Sequence, residues 1–306
     1  MNTAPIGIAI VAPGGYAPDA DALRAGIARL EQQGFLIHNY YDHDARHQRF
    51  GGTDAARLAQ LHAAAADPDV QVVMALRGSY GMSRLLPHID YRLMADSGKL
   101  LVGYSDFTAF QLALMQATGR ASFAGPMICD DFTRADPDPY TITQFLDCLR
   151  GPTHRVLGAV ADGAAANPVV DVEGTLWGGN LAMMVSLLGT PYFPTIANGI
   201  VYLEDVGEHP YRVERMLLQL LYAGVLDGQR AVVLGEFTAF KLGAFDNGYD
   251  FSAMLAYLRA TLPLPVLTGL PFGHVRHRAT LPFGGTARLT STARDFELSI
   301  RNYPTL

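Results

Sequence analysis

Apolar and polar positions alternate along the first half of the chain in a way that predicts strands and helices in turn. Short apolar runs typical of buried strands occupy residues 6–11, 35–40, 70–76 and 100–104. Between the first two runs, Leu23, Ile27 and Leu30 recur at helical spacing, and Gly34 stands where such a helix would end. Strands that alternate with helices at these lengths favour a parallel sheet covered by helices on both faces.

The pattern changes at residues 151–170, where glycine, proline and alanine dominate and predict a linker or an edge meander. We therefore expect two domains, residues 1–160 and 161–306. The second half is more mixed than the first. Helices are predicted at 180–188, 211–223 and 252–262, and strands at 199–203, 230–235, 287–290 and 296–300, the last two paired.

Composition narrows the class of protein. Of the 306 residues, 49% are hydrophobic and 17% are charged. The apolar content is enough for a sizeable core, and the charged content is too low for a disordered chain. The net charge of −6 comes without a basic run, which argues against a nucleic-acid partner. The start of the chain has no signal-peptide pattern, and no apolar run nears the roughly 20 residues that span a bilayer. With two cysteines that match no metal or redox motif, we expect an unexported, cytoplasmic protein without a membrane segment.

Ser105 is the first candidate for chemistry. The strand at 100–104 ends in Gly-Tyr-Ser, and a helix is predicted to begin at once, over 107–117. Such a sharp strand-to-helix turn exposes a serine hydroxyl and directs backbone N–H groups toward it. The motif lacks the last glycine of G-x-S-x-G, so a simple helix cap remains the competing interpretation.

A serine nucleophile needs a base, and a base needs an acid that orients it. His274 follows Gly-Leu-Pro-Phe-Gly in a tight loop, where catalytic groups are often carried, although a structural role is equally open. Glu204 and Asp205 end an apolar strand and would point to opposite faces, so at most one can meet His274. His43 and His47 lie four residues apart in a charged loop without a metal-site motif, and no metal is expected.

Ordered blocks of sequence extend along essentially the whole chain, at residues 77–81, 84–87, 103–109, 125–127, 173–181, 187–191, 203–205, 208, 211–216, 273–274 and 281–282. Taken together and in this order, they are similar to the LD-carboxypeptidase family of serine peptidases, in particular the cytoplasmic muramoyltetrapeptide carboxypeptidases.

The resemblance implies an N-terminal parallel-sheet α/β domain with Ser105 as nucleophile, and a C-terminal mixed α/β domain with Glu204 as acid and His274 as base. The active site would then lie in the cleft between them, often in a homodimer. It implies hydrolysis of an L,D-peptide bond that releases D-alanine from murein tetrapeptides in cell-wall recycling, without a cofactor. The oxyanion hole would be the backbone N–H groups of Ser79 and Asp106.

One departure from the family pattern concerns Ser79, which stands where the family usually has the second glycine of Arg-Gly-Gly-Tyr-Gly. A positive φ there would strain a serine. Because the substrate ends in a carboxylate, we expect a cationic partner, with Arg77 and Arg212 as candidates.

Trp177 and Asn180 beside a Gly-Gly pair are further substrate-binding candidates. Two alternatives stay open at this point. One is a microcin-immunity-like hydrolase of peptidyl nucleotides, in which Trp177 stacks on a base. The other is a non-catalytic peptide-binding protein, in which Ser105 only caps a helix.

Overall fold

The computed structural model describes residues 5–306 and consists of two α/β units, each built on one mixed sheet. Its strands are β1 (Ile6–Val11), β2 (Phe35–Asn39), β3 (Val72–Ala75), β4 (Leu100–Val102), β5 (Ser122–Ala124), β6 (Thr153–Ala159), β7 (Asp171–Asn180), β8 (Gly199–Val206), β9 (Ala231–Thr238), β10 (Val266–Thr268), β11 (Leu281–Phe283), β12 (Thr286–Ser291) and β13 (Asp295–Arg301). Its helices are α1 (Ala20–Gln32), α2 (Asp54–Ala66), α3 (Met82–Leu85), α4 (Tyr91–Asp96), α5 (Thr108–Thr118), α6 (Pro139–Arg150), α7 (Leu181–Ser186), α8 (Pro210–Tyr222) and α9 (Phe251–Thr261). The predicted two-domain α/β class is confirmed.

The first sheet has the order β11-β5-β4-β3-β1-β2. Its first five strands in the chain run parallel, as the alternating pattern predicts. The sixth, β11, joins β5 in antiparallel register and comes from near the end of the chain. The sheet is therefore mixed rather than wholly parallel. Three residues with a central proline carry no periodic signal, which explains why β11 escapes sequence-based prediction.

The second sheet has the order β10-β9-β8-β7-β12-β13-β6. Strands β7 to β10 are parallel, whereas β12, β13 and β6 form an antiparallel extension. Strand β6 lies at the edge and alternates strictly between buried and exposed residues. Residues 153–159 are therefore an edge strand, which agrees with the edge meander and not with the linker of the two alternatives that the composition left open.

Carboxyl ends of parallel strands meet at one edge of a sheet, and this places Asn180 directly beside Glu204 in the β7–β8 register. The backbone N–H of Asn180 also donates to Thr108 Oγ1, 3.1 Å away, at the start of α5. The strand ends of the second unit thus contact the turn that follows β4 in the first. Both units contribute residues to this junction.

Within residues 5–306, no helix has both the length and the apolar character needed to cross a membrane. Cys129 and Cys148 are buried free thiols, and burial raises the pKa of the Cys129 thiol to about 12.

Candidate active site

Ser105 lies at the first residue of a short 3₁₀ turn, Ser105–Phe107, between β4 and α5. Its φ of +62° is in the left-handed region, which costs a residue with a side chain of order 1–3 kcal/mol. Strain of this kind is typical of a serine held on a sharp strand-to-helix turn. The turn predicted from Gly-Tyr-Ser is present, and Ser105 does not serve as a hydrogen-bonding side-chain cap there.

His274 lies in the loop that follows β10, and its ring contacts groups from both units. Its Nε2 atom is 3.0 Å from Ser105 Oγ, and its Nδ1 atom is 2.7 Å from Glu204 Oε2. A carboxylate only accepts, so Nδ1 carries the proton and Nε2 is left to accept from the serine hydroxyl. The three side chains predicted to act together are thus joined in series by hydrogen bonds.

Glu204 is fully buried at the end of β8. Asn180 Nδ2 donates to its second oxygen, Oε1, at 3.1 Å, so both carboxylate oxygens have partners. The neighbouring Asp205 lies where the β8–β9 register shifts, and its carboxylate accepts from the same Asn180 amide at 2.9 Å and from the N–H of Ala182 rather than from His274. Burial is the main reason that the pKa of Asp205 is raised to about 6. Of the two acids, Glu204 is the one that meets His274.

The loop after β3 approaches Ser105 closely. A Cβ atom on Gly78 would lie only 2.9 Å from Ser105 Oγ, so no side chain fits at that position. The same point is 3.6 Å from the backbone nitrogen of Asp106, which places the two loops side by side. Within residues 5–306, no backbone acceptor is found for the N–H of Ser79, and the N–H of Asp106 belongs to a first helical turn. Both are suited to bind an oxyanion.

Ser79 has a φ of +66°, the conformation that favours the glycine usual at this position. Its hydroxyl accepts a hydrogen bond of 3.0 Å from Arg49 Nη2. Arg49 comes from the charged loop before α2, where no local pattern marks it. Sequence reasoning therefore missed this contact.

The Asp106 side chain connects the nucleophile turn to the same loop. Its Oδ2 accepts from the N–H of Met82 at 2.7 Å, while the carboxyl group is almost wholly buried. Burial raises the pKa of Asp106 to about 7, against the lowering effect of the Met82 N–H and of the Arg57 charge. This carboxyl holds the start of α3 beside Ser105.

The raised pKa of Asp106 predicts a pH-dependent stability. Between about pH 4 and pH 7 the folded chain keeps a proton that the unfolded chain releases, so this contribution is present at low pH and is lost as the pH rises. We expect Asp106→Asn to flatten the dependence by at most about 1.4 kcal/mol per pH unit. Urea unfolding at pH 5 and pH 8 measures it. Asp162→Asn, at an exposed position, is the control, and an equal slope in Asp106→Asn and the parent would contradict the prediction.

Arg278 connects the His274 loop to the first unit through hydrogen bonds and an ion pair. Nothing in the sequence predicted these contacts. Its guanidinium donates to the carbonyl oxygens of Gly273 and Val275, which flank His274, each at 2.7 Å. It also forms a buried ion pair with Asp131 at 2.6 Å and stacks 3.9 Å from the centre of the Tyr104 ring. Because Tyr104 directly precedes Ser105, one side chain contacts the neighbours of both reacting groups.

The remaining predicted binding residues lie differently from what the sequence suggested. Trp177 is 1% exposed and donates its indole N–H to Gln229 Oε1 at 3.1 Å, so its ring cannot stack on a ligand in this structure. The Asn180 amide is occupied by Glu204 and Asp205. Arg212 is ion-paired with Glu208. Arg77 is half-buried, and its one hydrogen bond within residues 5–306 is a long contact of 3.4 Å to the Tyr16 carbonyl.

The site has the geometry of a serine hydrolase, because a hydroxyl, an imidazole and a buried carboxylate are hydrogen-bonded in this order. A two-domain α/β scaffold carries these groups. Comparison with known families narrows this class. Residues 8–125 match the LD-carboxypeptidase N-terminal domain, and residues 173–289 match the C-terminal domain of the same family. The chain belongs to the LD-carboxypeptidase family. The predicted boundary near residue 160 falls between the two matches and stays a prediction.

Comparison with individual proteins and solved structures is consistent with this family. A murein tetrapeptide carboxypeptidase of Pseudomonas aeruginosa is 32% identical over 92% of both chains. A putative carboxypeptidase of Streptomyces coelicolor is 34% identical, over 92% of this chain and 89% of the relative. The crystal structure of a muramoyltetrapeptide carboxypeptidase from Oxalobacter formigenes is 52% identical, with a TM-score of 0.93, and the match covers 98% of this chain and 100% of that one. The microcin C7 self immunity protein MccF, 22% identical with a TM-score of 0.87 over 99% of this chain and 98% of its own, shares the fold.

Proposed function

We propose that the protein is a serine-type LD-carboxypeptidase that releases the terminal D-alanine from murein tetrapeptides during cell-wall recycling. The observation that carries the proposal is the hydrogen-bonded series Ser105–His274–Glu204, with Nε2 to Oγ at 3.0 Å and Nδ1 to Oε2 at 2.7 Å. The names of the Pseudomonas and Oxalobacter relatives support the substrate.

The reaction begins when His274 Nε2 takes the proton of Ser105 as Oγ attacks the carbonyl carbon before the terminal D-residue. The N–H groups of Ser79 and Asp106 bind the oxyanion, and losing one such donor typically lowers turnover about 10²–10³-fold. His274 then gives its proton to the leaving amine, and the C–N bond breaks. Water, deprotonated by His274, attacks the acyl carbon. The bond from that carbon to Ser105 Oγ breaks, His274 returns its proton to Oγ, and the shortened peptide leaves with a new carboxylate. Glu204 stabilises the imidazolium in both steps.

No metal ion or organic cofactor takes part in this sequence of steps. We further propose that the protein acts in the cytoplasm as a homodimer with its substrate in the interdomain cleft, as its resemblance to the cytoplasmic members implies. Neither nucleic acid nor a membrane is a proposed partner, in keeping with a net charge of −6 and no basic run.

Hydrolysis of a peptidyl nucleotide is the weaker alternative. The residue that favoured it in the sequence, Trp177, is buried and hydrogen-bonded to Gln229. MccF, at 22% identity, is evidence for the fold alone. A purely binding role is also less well supported, since a peptide-binding scaffold needs no hydroxyl aligned on an imidazole.

Mass spectrometry of a muramyl tetrapeptide incubated with the protein tests the proposal. We expect loss of one alanine from the peptide that ends in D-alanine, and none from its diastereomer that ends in L-alanine. A peptidyl adenylate analogue is assayed in parallel. Cleavage of the nucleotide with an intact tetrapeptide would favour the alternative, and cleavage of neither would favour the binding role.

A further inference from the structure

Arg49 contacts Ser79 in the loop of residues 77–81, which carries one of the two proposed oxyanion donors. Its Nη2 atom donates to Ser79 Oγ at 3.0 Å, and its guanidinium carbon lies 5.9 Å from the centre of the Tyr80 ring. These two contacts hold an otherwise exposed side chain over the loop that touches Ser105.

The charge of Arg49 has no carboxylate partner within 4 Å in the described part of the chain, residues 5–306. Of the other arginines near the strand ends, Arg77 has only the 3.4 Å contact to the Tyr16 carbonyl within residues 5–306, and two are ion-paired. Arg84 pairs with Asp54 at 3.5 Å, and Arg212 pairs with Glu208. A guanidinium has five N–H donors in a planar fork, and Ser79 uses one of them. The remaining donors of Arg49 are available to an anion.

We propose that Arg49 and the Ser79 hydroxyl form the subsite that binds the terminal carboxylate of the leaving D-amino acid. This rests on the proposed function, because the subsite is defined relative to the scissile bond. Arg49 would then be the cationic partner that the sequence assigned to Arg77 or Arg212.

Covalent dimensions support this placement. In a peptide, the terminal carboxylate lies only about 4–6 Å from the carbonyl oxygen of the preceding bond. A serine Oγ lies about 3 Å from its own backbone nitrogen, so Arg49 Nη2 lies within roughly 6 Å of the Ser79 N–H. An oxyanion held on that N–H therefore brings the carboxylate within reach of Arg49.

The hydroxyl of Ser79 completes the subsite. It accepts from Arg49 and retains its own O–H, which can donate to a carboxylate oxygen. This gives a chemical reason for a serine at a φ of +66°, where glycine would be unstrained. The backbone N–H binds the oxyanion that forms on the carbonyl of the scissile bond, and the side chain binds the carboxylate of the leaving D-residue, so one residue contacts groups on both sides of that bond.

The test compares two peptides that differ only at the end, a tetrapeptide with a free D-alanine carboxylate and the same peptide with a D-alanine carboxamide. For Arg49→Gln, the ratio of kcat/KM for acid over amide should fall about 10- to 100-fold, chiefly through KM, since a charge-assisted pair is lost only with the acid. Arg49→Lys keeps the charge but loses the fork and should fall in between. Ser79→Gly should lower the ratio about threefold to tenfold.

Arg46→Gln, three residues away in the same exposed loop, is the matched control and should leave the ratio unchanged. Thermal unfolding confirms that each variant is folded. The subsite is overturned if the acid-to-amide ratio of kcat/KM is unaltered in Arg49→Gln, or if this variant loses equal activity with both peptides. Arg77→Gln is tested in parallel, and a selective loss of activity on the acid peptide in that variant alone also overturns the subsite. If the parent protein cleaves neither peptide, the proposed function itself fails, which is a result distinct from a changed ratio.

Discussion

Replacing Ser105 with alanine is expected to lower D-alanine release by at least about 10⁴-fold, because it removes the hydroxyl that lies 3.0 Å from His274 Nε2. Among the described residues 5–306, the hydroxyl forms one hydrogen bond, to His274 Nε2, and it does not cap α5. Alanine at the same positive φ keeps the strain of the turn, so the free energy of unfolding should change by less than about 1 kcal/mol. Loss of activity can then be read as loss of chemistry.

Two quantities are measured on the same samples of variant and parent: kcat for the muramyl tetrapeptide, and the free energy of unfolding in urea. Ser186→Ala, which removes an exposed hydroxyl that donates to the Met183 carbonyl of its own helix, is the matched control and should retain parental activity. A folded Ser105→Ala protein that keeps more than a tenth of the parental rate would remove Ser105 as the nucleophile and return it to a structural role.

Much of the first unit was predictable because its signals are local. The runs at 6–11, 70–76 and 100–104 became buried parallel strands, since a strand covered on both faces must be apolar throughout. Strand β11 could not be found in this way, because three residues acquire their partner from a segment more than 150 positions earlier. The edge strand β6 was hidden by its neighbours, which are rich in glycine, proline and alanine.

The residues of the candidate site also differ in whether local sequence could predict them. Glycine-rich turns at strand ends marked Ser105 and His274 as candidates, and the family resemblance selected Glu204 over Asp205. In the structure Glu204 Oε2 bonds the imidazole, whereas the Asp205 carboxylate bonds the Asn180 amide and the N–H of Ala182, next to a register shift in β8 that no sequence pattern marks. The packing of loops could not be predicted, so Arg49 and Arg278 were missed.

The contacts of Arg278 show what local sequence cannot encode. Its guanidinium joins two carbonyls beside His274, the buried carboxylate of Asp131 and the ring of Tyr104. A buried ion pair offsets the cost of removing both charges from water only when its remaining donors are also satisfied. Here the extra donors are satisfied by the His274 loop, so the desolvated pair and the position of the base depend on each other.

Glu204→Gln is the second large effect that we expect, a loss of about 10⁴-fold in kcat with the fold retained. The Asn180 amide donates to Glu204 Oε1, and this contact keeps the oxygen of a glutamine on that side. The new NH₂ group must then face His274 Nδ1 and donate to it. The imidazole proton moves to Nε2, which can no longer accept from Ser105, and the imidazolium loses its counter-charge.

The measurement is kcat as a function of pH for Glu204→Gln and for a control, Glu236→Gln, which changes a partly exposed acid near the end of the adjacent strand β9. The control should remain within about threefold of the parent. Glutamine matches glutamate in size, so the urea midpoint reports whether the buried site still packs. A rate for Glu204→Gln within tenfold of the parent would mean that Glu204 does not set the tautomer of His274, and that Ser105 receives its base by another route.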